Sequence, residues 1–232
     1  MLFEPVADNL RESFRFVAGS RAQGEVRELH GVSIASAGVA FQMFNAAFLS
    51  APVASEAELA QRILLGTVHF NARGLEWAFW VCEDWIEARA RKRSRQLFDR
   101  YGLRHSLDLP GMVADRILPP VKVLPRLTVR RVCDAATGEA FSAIGSVCFH
   151  VPISWFREVF DNRLVWERFA AYVGYKNDEP VSTAAVVMGS GVLGVYNVAT
   201  LPASQRLGSL ASRSAAITKE TSLLSLRAIA DL

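Results

Sequence analysis

The chain has 232 residues, 51% hydrophobic and 21% charged, and a net charge of +3, which suits one large or two small domains with a sizeable core. So mild a charge argues against a dedicated nucleic-acid binder while leaving room for anionic ligands. No apolar run reaches membrane-spanning length, and the start Met1-Leu2-Phe3-Glu4-Pro5 lacks the basic and apolar parts of a secretory signal. Cys82, Cys133 and Cys148 lack zinc-type spacing, and His30, His69 and His105 are scattered. The expectation is a cytoplasmic protein with reduced thiols, no metal, no nucleic-acid partner and no membrane contact.

In chain order, Val6, Leu10, Phe14 and Val17 recur at helical spacing. Residues 25–29 and 32–35 flank His30-Gly31 as a short hairpin, and 39–49 reads as a further strand with Asn45 near its end. Ser55 and Glu58 have the spacing of a capping box, opening a helix to about Phe70 with Gly74 as its stop. A strand over 75–81 precedes a basic helix over 88–101, whose Arg89, Arg91, Lys92, Arg93 and Arg95 read as a solvated face. Residues 103–117 look like two strands broken at Pro110-Gly111, and Pro119, Pro120 and Pro125 form a stiff connector. Beyond it come a strand over 127–132, a helix capped by Asp134, and short helices over 152–160 and 164–169. Strands over 170–175, 181–187 and 192–198 then meander through the turns Lys176–Glu179 and Gly189–Gly191. The literal G-x-G-x-x-G at Gly189–Gly194 is a chance hairpin, since a dinucleotide fingerprint needs a helix where a β-branched strand follows.

The last of these strands empties through a small-residue loop into a helix start, which aims free backbone N–H groups and a helix dipole at one point and so favours phosphate. Tyr196-Asn197-Val198-Ala199-Thr200-Leu201-Pro202 followed by Gln205-Arg206-Leu207-Gly208-Ser209-Leu210 resembles the fourth strand and pyrophosphate loop of GNAT-type N-acetyltransferases. The family's loop reads Gln/Arg-x-x-Gly-x-Gly/Ala. Gln205 and Gly208 match, and Leu210 stands where a glycine or alanine is expected. The resemblance implies acetyl-CoA as co-substrate, bound by Asn197, Val198, Ala199, Gln205, Arg206, Leu207, Gly208, Ser209 and Leu210. It also implies transfer of an acetyl group to a primary amine on a small molecule or peptide, with a backbone N–H of the splayed fourth strand stabilising the thioester oxygen. Trp155 and Phe156 resemble the substrate-gripping segment, although the same residues read equally well as a core stripe. Glu158, Asp161 and Glu167 are candidate bases by region, and no catalytic residue is assigned.

The two halves repeat one order of elements, and Leu97-Phe98-Asp99-Arg100-Tyr101-Gly102-Leu103 resembles the Leu-Tyr-x-x-x-Gly-Phe signature late in a GNAT domain. The expected fold is α/β (α+β): two GNAT-like units, each a mixed, mostly antiparallel sheet flanked by helices. The boundaries fall at 1–120 for a degenerate first unit and 126–232 for the acetyl-CoA-binding one. The first unit offers Ser55, Glu56 and Glu58 where the second offers Gln205, Arg206 and Gly208, so its helix start is satisfied internally and repels pyrophosphate. Phe98 stands where the family has a proton-donating tyrosine. After the loop helix only 217–232 remain, too few for the closing elements of a complete unit, and Leu223–Ile229 reads equally as strand or as helix. The alternative function is thus a catalytically inactive CoA-binding or structural protein from a truncated or frameshifted GNAT. A homo-oligomer stays open.

Overall fold

The computed structural model describes residues 3–114 and 126–205, together with the backbone of 222–231. It is a mixed α/β protein that divides into two compact units, Met1–Met112 with Leu223–Leu232, and Val113–Ser222. No helix among the described residues is long and apolar enough to cross a membrane.

The first unit begins with α1 (Glu4–Gly19), with Pro5 in its first turn where no N–H is missed. The hairpin β1 (Glu25–Leu29) and β2 (Val32–Ser36) follows, then β3 (Asn45–Leu49), α2 (Glu56–Asn71), β4 (Ala78–Cys82), α3 (Ala88–Arg100) and β5 (Leu103–Val113). Strands β2, β3 and β4 are buried at every position, as fully covered central strands are. Phe14 of α1 meets Phe48 and Trp80 edge-on at 5.2 and 5.5 Å, while Phe70 of α2 stacks on Trp77 at 5.1 Å.

The second unit runs β6 (Thr128–Arg131), α4 (Ala135–Phe149), α5 (Ile153–Phe160), α6 (Arg163–Arg168), β7 (Phe169–Lys176), β8 (Glu179–Gly189), β9 (Val192–Thr200) and the short α7 (Pro202–Gln205). Asp134 caps α4 by accepting from Thr137 N, and α4 packs on β7, β8 and β9. Both hairpins turn on two residues with positive φ, Asn177-Asp178 and Ser190-Gly191, the geometry that matches strand twist. The G-x-G-x-x-G run is therefore a hairpin, as its context indicates.

A last strand, β10 (Ser222–Asp231), lies in the first unit's sheet, whose order is β1-β2-β3-β4-β10-β5; the second unit's sheet is β6-β7-β8-β9. The terminal segment is thus a strand, and it pairs with β4 instead of extending the unit that precedes it in sequence. Two further readings change. Residues 103–113 form one strand through Pro110-Gly111, because β5 is the sheet's edge, where a proline's missing donor costs no ladder bond. Only Asn45–Leu49 of the expected 39–49 strand is extended; Gln42–Phe44 is a turn of 3-10 helix.

The register of β10 makes an expected result. Leu226 lies opposite Cys82, and facing residues of an antiparallel pair sit within the Cα range of a disulfide. Leu226→Cys should therefore form an intramolecular disulfide with Cys82, read by intact mass and non-reducing peptide mapping. Burial pushes the Cys82 thiol up to about 11, so closure needs alkaline oxidation. A variant that stays reduced there would contradict the pairing.

Candidate functional site

The features expected of a cofactor edge converge on β9. Its ladder to β8 pairs Ser182 with Thr200 and Thr183 with Ala199, then resumes at Ala185 with Tyr196. Ala184 therefore faces two residues, Asn197 and Val198, which is a β-bulge. Asn197 takes the left-handed conformation with φ 50°, which asparagine tolerates better than the β-branched residues around it. Its carbonyl oxygen accepts a hydrogen bond from Thr183 Oγ1 at 2.9 Å. β9 is the outer strand of its sheet, so the bulge lies on an edge, where such irregularities re-aim backbone groups.

The strand then passes into the loop. Leu201 N donates to Val181 O at 2.9 Å, and Gln205 Nε2 donates to Thr200 O at 3.0 Å. Gln205, expected to face phosphate, thus spends its amide on the main chain at the loop's start. Arg206, Leu207, Gly208, Ser209 and Leu210 lie outside the described residues. Cys148, half-buried at the end of α4, is no activated nucleophile: burial raises its thiol, partly offset by a hydrogen bond with the Thr200 backbone.

The aromatic pair on α5 divides. Phe156 is buried at 3% exposure, stacked on Phe149 and beside Phe141 and Phe160. Its ring fills the space where a Cβ on Gly145 would stand, at 2.5 Å. That corrects the reading of Phe156 as a substrate contact: it is core, and only the half-exposed Trp155 has surface to offer. The carboxylate-bearing Glu158, Asp161 and Glu167 are all exposed. No group of three or more His, Cys, Asp or Glu side chains able to hold a metal ion occurs among the described residues.

In the first unit two helix starts are capped by the protein's own groups. β3 and β4 run parallel through Ala46–Ala78, Ala47–Phe79 and Phe48–Trp80. Beyond them the two segments rejoin: Val53 N donates to Trp85 O at 2.7 Å, and Glu87 N to Val53 O at 2.9 Å. Ser55 caps α2, and Glu58 Oε2 accepts from Ala54 N at 2.8 Å. Glu58 also pairs with the buried Arg62, which donates to Ala51 O and Pro52 O. Glu87 caps α3 through Arg89 N and Ala90 N. At these helix starts the N–H groups of Glu58, Arg89 and Ala90 are taken by the capping side chains. Phe98 is buried core, 6.0 Å from Phe79.

No protein-family model matches this chain, and no curated protein matches it by sequence. Among solved structures, the GCN5-related N-acetyltransferase from Kribbella flavida is similar with a TM-score of 0.66 at 15% identity, over 97% of this chain and 95% of that one. A functionally unknown conserved protein from Staphylococcus epidermidis is similar with a TM-score of 0.61 at 11% identity, over 90% and 94%. At such identities the likeness concerns the fold: this chain has the fold of GCN5-related N-acetyltransferases.

Proposed function

We propose that the chain is an acyl-CoA-dependent N-acyltransferase that moves an acetyl group from acetyl-CoA to a primary amine, small molecule or peptide. The observation that carries the reading is the bulge at Asn197–Val198 on an edge strand that leads directly into α7, Pro202–Gln205. An edge strand keeps backbone donors and acceptors for a ligand laid beside it. In this reading Asn197, Val198 and Ala199 serve the acyl end, and the segment Gln205 to Leu210 serves the phosphates.

When bound, acetyl-CoA supplies the activated acyl group. The chain's own contribution is to orient it along β9, to direct a backbone N–H at the carbonyl oxygen, where charge develops, and to hold the amine, with the half-exposed Trp155 of α5 as an aromatic surface for it. The two units are read as tandem copies of one architecture, the first retained for structure. Its Glu58 and Glu87 occupy the helix starts and bring negative charge where phosphate would bind.

Calorimetry with acetyl-CoA, paired with a thiol-release assay over primary amines, tests the reading. Gly208→Asp should weaken acetyl-CoA binding by about tenfold or more, since a carboxylate and a Cβ both enter the loop. Unchanged affinity in Gly208→Asp, with a change in Glu58→Ala, would move the site to the first unit. Absence of binding by the unaltered chain would end the proposal.

A further inference from the structure

We infer that Thr183 is a positioning residue for the acyl-binding donor on β9, an assignment that rests on the function proposed above. Thr183 lies on the neighbouring strand, is 1% exposed, and is not expected to touch a ligand. Its hydroxyl donates to the Asn197 carbonyl oxygen at 2.9 Å, a group that regular pairing would have given to a backbone N–H. In a trans peptide the C=O and the next N–H point in opposite directions, and no cis peptide occurs among the described residues. With the Asn197 carbonyl drawn toward β8, the N–H of Val198 is turned away from β8. Since β9 is the outer strand, that N–H faces the open edge, where an acyl carbonyl would accept from it.

Three features make Thr183 a setting for this peptide and more than a convenient neighbour. The bulge gives the Asn197–Val198 peptide a freedom its flanking pairs lack, because two residues share one partner, Ala184. Asn197 sits in the left-handed region, a conformation that persists only when its surroundings fix it. And a β-branched side chain has few χ1 choices, so a buried threonine presents its hydroxyl in one direction where serine presents it in several. The chemistry recognised is that of a carbonyl oxygen alone. The hydroxyl should matter for an acyl thioester and not for the free thiol.

The test compares acetyl-CoA with CoA in wild type, Thr183→Val and Thr183→Ser. Wild type should prefer acetyl-CoA by about threefold to tenfold, the worth of one hydrogen bond. Thr183→Val should bring that ratio close to one while holding CoA affinity within about twofold, and Thr183→Ser, which keeps the hydroxyl with more rotamers, should restore part of the preference. With acetyl-CoA isotope-labelled at the carbonyl, the bound stretch should fall to lower frequency in wild type and Thr183→Ser, and return toward its solution value in Thr183→Val. The unaltered protein offers a readout independent of any variant's folding: the Val198 amide proton should shift on adding acetyl-CoA and not on adding CoA. A Val198 amide blind to the difference overturns the inference. So does a Thr183→Val protein that keeps the ratio, or that weakens both ligands alike as a merely structural change would. Failure of the unaltered chain to bind either ligand instead removes the underlying function.

Discussion

Replacing Glu58 by alanine should destabilise the first unit by about 3 kcal/mol, more than a surface ion pair is worth, because it strands a buried charge. Arg62 is 4% exposed at its side chain and Glu58 30%, so the two partners are not equivalent. Without Glu58 the guanidinium keeps Ala51 O and Pro52 O but loses its anion. Nor can it swing out freely, because it lies against Gly31, where an added Cβ would come within 2.6 Å of Arg62 Cζ. Arg62→Ala leaves a carboxylate that water can reach, so its cost should be smaller, and the double variant should cost less than the sum. Denaturant unfolding followed by the fluorescence of Trp77, Trp80 and Trp85 reads the comparison. Additive losses, or a Glu58→Ala cost below about 1 kcal/mol, would show that the pair is a surface contact.

The same carboxyl gives a pH dependence. Glu58 is held below its ordinary value of 4.5, first by the Ala54 backbone N–H and then by Arg62, against an opposing effect of burial. A carboxyl depressed in the folded state contributes stability that is present above its unfolded value and is lost as pH falls through its folded one. The acid limb of unfolding in Glu58→Ala should be flatter below about pH 4.5 for that reason.

What the sequence discloses follows the range of the interactions involved. The caps at Ser55 and Asp134 and the positive-φ hairpins at Asn177-Asp178 and Ser190-Gly191 are settled by residues a few positions apart, and they are legible in it. Whether Pro110 interrupts a strand depends on whether that strand is an edge, and the sheet order that leaves β5 outermost is set by pairing with β10 from the far end of the sequence. No local pattern carries that. Phe156 likewise has a helical spacing that serves core and pocket alike until Gly145 is found beneath it. At the candidate site, the strand is readable, and a lone asparagine within Val195-Tyr196-Asn197-Val198 is the visible trace of the bulge. Its depth of support is not, since Thr183 is fourteen residues away and reads simply as a strand former.

Asn45→Leu should be close to the limit the first unit can bear. Asn45 is fully buried and uses its whole amide. Its oxygen accepts from Ser36 Oγ at 3.0 Å and Gly38 N at 3.2 Å, and its nitrogen donates to Val39 O at 2.7 Å and Glu76 O at 2.9 Å. The side chain therefore ties the connection between β2 and β3 to the segment entering β4. Gly38, at φ 68°, holds the connection in a turn so tight that a Cβ would stand 2.6 Å from Gln23 O, which leaves little freedom to find other partners. Leucine has nearly the same shape and none of the four bonds. Leaving Val39 O and Glu76 O unpaired, and Gly38 N with only its longer bond to Ser36 Oγ at 3.3 Å, should cost about 4 kcal/mol together, at roughly 1–3 kcal/mol per buried group. Against a total stability of about 5–15 kcal/mol for a typical domain, that is a large share. Asn45→Asp separates the causes. It keeps the shape and both acceptors but, ionised, turns a carboxylate toward two carbonyl oxygens. If the donated bonds hold the turn, aspartate should be as damaging as leucine at neutral pH. An Asn45→Asp protein melting with wild type would mean that the donated bonds do not hold the turn.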